Sequence, residues 1–279
     1  MALITNNTSI LETASAKGQD FVAQGKRQNG DLWYLVIDGH GRNTVIDALR
    51  TLDYLTIMES LNPANIIKQK VNELGDTFKS GATMSIVIIS PEKMNCYWCG
   101  DSTIKIWEKG KNIFTSKNHN STNPEEVNRI ETLGFEQVDD WSIEVLDDKT
   151  LTMVSTPYYI LDSRLGDNGR YLQDTVNMTN VLGHNEKTGS VISHAEISLK
   201  EGVDYDMVIA TDGLWDMVHP GDNIDMFKDA LDITEFAKKR WTQEWCYRFP
   251  GHPDQISSMN DQMDDIGVAV WKGRAYHLD

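Results

Sequence analysis

The feature that most restricts how this chain folds is the way its apolar runs stop. Residues 32–42 read LWYLVIDGHGR. Six aromatic, aliphatic or β-branched residues have the composition of a buried strand. They run into Asp38, and the chain then turns through Gly39, His40 and Gly41. The device recurs: YDMVIATDG (205–213) reaches Asp212, and DDIGVAVW (264–271) starts from Asp264 and Asp265. Asp20 follows Gly18 and Gln19 ahead of a further apolar stretch. One Asp-Gly pair is ordinary turn chemistry. Four strand-end acids imply more. If those strands are neighbours, the carboxylates meet at one sheet edge, where repulsion and desolvation oppose their charge unless a cation sits among them. All-oxygen ligands suit Mg²⁺, Mn²⁺ or Ca²⁺ rather than Zn²⁺. Gly39, with no Cβ, is free to turn its carbonyl toward an ion held by Asp38. His40 beside that ion is placed for proton transfer.

The rest of the pattern is α+β. RNTVIDALRTLDYLTIMES (42–60) has helical spacing at Val45, Leu49, Leu52 and Leu55. A second helix starts at Asn62 with Pro63 in its first position. SGATMSIVIIS, NCYWCG, STIKIWEKG and KNIFTS read as successive antiparallel strands joined by tight turns. Asn123-Pro124-Glu125-Glu126 opens a short helix, with Asn123 as cap and Glu126 completing a capping box, and Gly134 closes it. Strands follow near 135–155, residues 163–195 read as a long loop or small lobe, and helices are expected over 221–248. Strands in antiparallel runs with helix pairs between them fit two stacked sheets flanked by helices.

Composition narrows the partners. The 279 residues carry 42 acidic and 26 basic side chains, a formal charge of −16. Such a surface repels phosphate backbones, so neither nucleic acid nor an anionic membrane is an expected partner. Three cysteines argue for a reducing compartment, and Cys96 and Cys99, three apart in a strand, point to opposite faces. With no signal-peptide pattern and no long apolar span, a cytoplasmic monomer is expected. No linker divides the chain, so residues 1–279 read as one domain.

In this order the motifs resemble those of the metal-dependent Ser/Thr protein phosphatases, the PPM or type 2C family. AKGQDFV is similar to the family's first acidic motif and VIDGHGR to its D-G-H-G signature. SGATM, CGDST, SKNHNSTNPEEVNRIETLG, LDSRLGD, VIATDGLWDMV and DDIGVAV match later motifs in sequence. The resemblance implies a β-sandwich of two antiparallel sheets with helix pairs outside and a pair of Mn²⁺ or Mg²⁺ ions at one end. Carried over by position, Asp38 would bridge both ions. The Gly39 carbonyl would complete one site, and Asp212 and Asp264 the other. Asp20 would hold water on the metal, Asp101 with Asp212 would form a weaker third site, and His40 would be the general acid. Asp216 reads as a local turn or helix-cap residue. The implied reaction is hydrolysis of phosphoserine and phosphothreonine in proteins by a hydroxide bridging the two metals. The segment 166–195 falls where the family has its variable flap.

Five positions depart from the pattern. Ser15 stands where the family carries a phosphate-holding arginine, leaving Lys17 or Arg42 to supply a cation. Gln19 replaces a glutamate, Thr103 an arginine, and Asp265 and Gly267 an asparagine and a hydroxyl residue. These departures leave a catalytically dead, partner-binding pseudophosphatase as the alternative expectation.

Overall fold

The computed structural model describes residues 2–13, 15, 17–165, 171–249 and 251–276. The chain runs β1 (Ala2–Thr13), β2 (Asp20–Lys26), β3 (Leu32–Gly41), α1 (Thr44–Arg50), α2 (Tyr54–Met58), α3 (Pro63–Asn72), β4 (Ser80–Ile89), β5 (Lys93–Cys99), β6 (Thr103–Glu108), β7 (Lys111–Thr115) and α4 (Pro124–Thr132). It continues through β8 (Gln137–Val145), β9 (Thr150–Leu165), β10 (Tyr171–Val176), β11 (Leu182–Gly183), β12 (Ser193–Ser198), β13 (Asp204–Ala210), α5 (Asp212–Trp215), α6 (Ala230–Thr242), β14 (Glu244–Arg248), β15 (Gln255–Ser258) and β16 (Ile266–Tyr276).

Two sheets form the sandwich. One has the order β1-β16-β13-β6-β7, the other β12-β5-β4-β3-β2 with β11 added beside β4. The run LWYLVI serves both faces of its sheet. Tyr34 and Val36 point inward and meet Ile104, Ile106, Met207, Ile209 and Trp271 of the facing sheet. Trp33, Leu35 and Ile37 point outward under Val45, Ile46, Leu49 and Ile67 of α1 and α3. Burial on both sides explains why this strand lacks polar alternation. Val208, Val268 and Val270 pack against Ile233, Ala237 and Trp241 of α6 on the other flank. Cys96 lies in the inner core and Cys99 in the outer one, on opposite faces as their spacing predicts.

Several local expectations change. The segment 42–60 is two helices, because Asp53 accepts from the Thr56 backbone N–H and hydroxyl and so caps a new start. Asn123 caps α4 through the Glu125 N–H, but Glu126 pairs with Arg129 and Thr179 instead of closing a capping box. Of the helices expected over 221–248, the structure has a 3-10 turn at Ile224–Met226 and α6, and β14 follows because Trp245 is fully buried with its indole N–H on the Arg240 carbonyl. The region 163–195 holds β10, β11 and part of β12 as well as loops, and residues 166–170 lie outside the described residues. That gap takes in the end of LDSRLGD. A third sheet, β10-β9-β14-β15 with β8 on β9, was not expected. Its β14–β9 pairing is parallel, whereas the other pairings between the named strands are antiparallel.

Candidate metal centre

The sandwich brings the strand-end acids to one edge. Asp38, at the end of β3, is the register partner of Asp20, at the start of β2. On the opposite sheet β13 and β16 are antiparallel neighbours, so Asp212 just after β13 and Asp264 just before β16 come to the same edge. Asp212 lies within hydrogen-bonding reach of Asp38. Asp38 in turn feels Asp212, Asp20, Asp101 and Asp264.

The crowding shows in the protonation of these groups. Burial first, then Asp212 and Asp20, pushes Asp38 well above the usual carboxylate range. Asp212 rises to about 7 through burial and the charges of Asp101 and Asp264. Asp20, 2% exposed, rises to about 8 through burial, although it accepts the Thr211 hydroxyl at 2.8 Å. Asp101 rises to about 6 by burial, and its Oδ1 is buried with no hydrogen-bond partner. Its Oδ2 has only a long contact, 3.4 Å, to the Asn120 amide. Converging oxygen donors with raised pKa values and an orphaned carboxylate oxygen fit a hard divalent cation. The backbone fits too. A Cβ at Gly39 would lie 2.8 Å from the Ile46 Cβ and 3.0 Å from the Gln19 carbonyl oxygen, so only glycine passes here.

The set is drawn together loosely. Among the described residues, the acids and histidines whose ligand atoms all lie within 4.8 Å of one another are Asp148, His219 and Asp222, not the strand-end acids. That second group already has its cation. Arg240, 5% exposed, donates to both oxygens of Asp222 and to Asp148. At the strand ends the ammonium of Lys17 sits on Asp264, 2.9 and 2.7 Å from its two oxygens.

Two histidines meet, His40 just beyond Asp38 near the end of β3 and His184 just after β11. Nε2 of His40 and Nε2 of His184 are 2.8 Å apart. His184 Nδ1 faces the Phe78 carbonyl at 2.7 Å and must donate to it, so its Nε2 accepts the Nε2–H of His40. His40 Nδ1 is buried without a partner. Burial, aided by His184 and Lys17, pulls His40 down to about 3, so it is neutral here rather than the protonated acid expected from the resemblance. Gly81 makes the pair feasible, since a Cβ there would come within 2.4 Å of His40 Nε2 and 2.5 Å of His184 Nε2. Both rings line a cavity of about 410 Å³ with Phe78, Lys79, Tyr158 and Met178.

The departing residues have structural work. Gln19 donates through Nε2 to the Gly41 carbonyl at 3.0 Å and Asn43 Oδ1 at 2.7 Å, which a glutamate could not do. Asp265 accepts the backbone N–H groups of Ser15 and Gln19 and so fastens the loop that carries Lys17. Burial presses its pKa up, and those N–H bonds outweigh burial and hold it low. Thr103 donates to Asn118 Oδ1 at 2.8 Å. Asp216 is the C-cap of α5 and part of its surface is exposed, yet desolvation and the charges of Asp212, Asp101 and Asp264 push its carboxyl well above the usual range, so it stands at the border of the acid cluster rather than apart from it. Sequence reasoning passed over His184 and His119. His119 supports the turn before Asp101 by accepting the Gly100 N–H. A histidine in a segment read as loop gives no signal of its own; only the pairing of β11 with β4 brings His184 to His40.

Residues 50–146 match the family model described as Protein phosphatase 2C. Human Protein phosphatase 1B is 24% identical over 253 residues, covering 90% of this chain and 46% of that protein. The chain spans less than half the length of the first curated relatives it matches. The serine-threonine phosphatase 2C of Toxoplasma gondii superposes with a TM-score of 0.56 at 13% identity, covering 98% of both chains. The catalytic domain of PstP, a serine threonine protein phosphatase solved with two manganese ions, gives 0.50 at 14% identity over 96% of this chain and 98% of that one. At such identities the structural likeness speaks for the fold alone.

Proposed function

We propose that the chain is a member of the protein phosphatase 2C family, whose model matches residues 50–146, and that it is a metal-dependent phosphomonoester hydrolase acting on phosphoserine and phosphothreonine in proteins. One observation carries the reading: acids from both sheets meet at one end of the sandwich with their pKa values raised by burial and by one another. Asp38, the Gly39 carbonyl, Asp212 and Asp264 would hold two Mn²⁺ or Mg²⁺ ions, with Asp101 and Asp212 at a weaker third position. Support for two ions comes from the manganese pair in the PstP structure. When bound, the ions supply Lewis acidity to water and phosphate and relieve the repulsion among the carboxylates.

The chain's own groups do the rest. Asp20, backed by the Thr211 hydroxyl, accepts a proton from water at the edge of the cluster. His40 holds its proton on Nε2, where His184 fixes the tautomer. To act as general acid His40 would first take a proton on its unpartnered Nδ1; its Nε2–H, released from His184, would then pass to the leaving serine or threonine oxygen and leave a neutral ring. The cavity beside the histidines receives the substrate chain, and the segment 166–195 shapes that approach. The whole chain acts as one catalytic unit, a cytoplasmic monomer whose charge of −16 keeps it from nucleic acid and anionic membranes. No helix among the described residues is long and apolar enough to cross a membrane.

Hydrolysis of p-nitrophenyl phosphate and of a phosphothreonine peptide, with and without Mn²⁺, tests the reading. Mn²⁺-dependent turnover that disappears in Asp38→Ala is expected. Turnover no higher than in that variant refutes it, and a clear preference for small phosphoesters over the peptide refutes the protein substrate.

A further inference from the structure

Lys17 occupies a place that the proposed reaction does not use. Its ammonium bonds both oxygens of Asp264, and the next charges it feels are Asp212 and Asp38. These are the three carboxylates that the proposed function assigns to one divalent ion. The pairing is built in rather than incidental to a free side chain. Asp265, the neighbour of Asp264, accepts the backbone N–H groups of Ser15 and Gln19, which flank Lys17. The loop is thus fastened beside the carboxylate that its lysine neutralises.

Other nearby cations are engaged elsewhere. Arg50 donates to the carbonyls of Gly18 and Asp20. The exposed Arg42 is felt by Asp76, away from the cluster. Among the described residues, Lys17 is the cation that bonds a carboxylate of this set.

Resting on the reading of the site as a divalent metal centre, we propose that Lys17 is its tethered counter-ion and competes with the metal for Asp264. An ammonium is a compact point charge that neutralises a carboxylate without a metal's coordination demands. With Lys17 in place, Asp264 is paired and held beside the other acids. For a divalent ion to take Asp264, the ammonium must leave, since both draw on the same two oxygens. The Lys17 side chain is 55% exposed against 26% for Asp264, so it can swing into solvent by rotating its own stem. Binding at this position is therefore an exchange of one cation for another, and the affinity that is measured is reduced by the pair that must be broken.

The test follows Mn²⁺ binding without substrate. Mn²⁺ is titrated into the wild-type chain and into Lys17→Ala, Lys17→Met and Lys17→Arg, and free Mn²⁺ is read by electron paramagnetic resonance. Circular dichroism confirms that each variant is folded. Both neutral variants are expected to bind on the order of fivefold tighter, the value of one part-exposed ion pair, with Lys17→Arg close to wild type. Equal or weaker binding by both neutral variants overturns the competition and leaves the metal centre standing. A gain in Lys17→Arg as large as in Lys17→Ala also overturns it. No Mn²⁺ binding by any of the four proteins overturns the metal centre and the competition together.

Discussion

Replacing Asp212 with asparagine in metal-free protein measures the repulsion stored in the acid cluster. Asp212 keeps its proton up to about pH 7 in the folded chain, against 3.8 for an ordinary aspartate. Between those values the folded state binds more protons than the unfolded one, so stability falls as pH rises from about 4 to about 7. The full shift corresponds to roughly 4 kcal/mol. The neighbouring acids relax when one charge is removed, so about 2–4 kcal/mol is recovered by Asp212→Asn at pH 8. For a chain of this size that is a rise in Tm of about 4–12 °C. His40 works in the other sense. Drawn down to about 3 from 6.5, it costs stability as pH falls below about 6.5. Wild-type protein in EDTA should therefore be most stable in mild acid, and Asp212→Asn should flatten the alkaline side of the curve while leaving the acid side alone. Thermal melts in EDTA from pH 5 to 8.5 provide the assay. A wild-type Tm that does not fall between pH 6 and 8, or an Asp212→Asn protein no more stable than wild type at pH 8, would refute the clustering argument.

Two further substitutions probe the supports of the site. Gly81→Ala puts a Cβ 2.4 Å from His40 Nε2. It should cost about 1–3 kcal/mol by overpacking and lower Mn²⁺-dependent turnover on the order of tenfold; a Tm and kcat within error of wild type would dissociate the histidine pair from both. Asp265→Ala leaves the backbone N–H groups of Ser15 and Gln19 without their acceptor. A loss of about 1–3 kcal/mol is expected in urea unfolding, with faster hydrogen exchange at the Gln19 amide; unchanged exchange there would show that the loop is held by other contacts.

The acids at strand ends were legible because apolar run and breaker are local in sequence, and antiparallel pairing then brings Asp20 to Asp38 without further information. The α3 start at Asn62-Pro63 was legible for the same reason. What escaped depends on distant chain. β1 has the polar sequence ALITNNTSILET and is a strand because β16 offers it an edge. The third sheet forms where β9 meets β14, nearly a hundred residues later, with the Cys246–Thr150 register. Gln19 read as a neutral replacement for a charged acceptor; its amide proved to be a donor to Gly41 and Asn43, a direction of bonding that residue type alone does not specify. His184 is invisible until β11 joins β4.

The central claim is that carboxylates from both sheets hold a pair of divalent ions. An anomalous difference map at the manganese edge, from crystals grown with Mn²⁺, tests it most directly. Two peaks are predicted: one against Asp38 and the Gly39 carbonyl, the other among Asp38, Asp212 and Asp264, with the Lys17 ammonium moved off Asp264. An empty map at these strand ends, or manganese only at Asp148, His219 and Asp222, would contradict it.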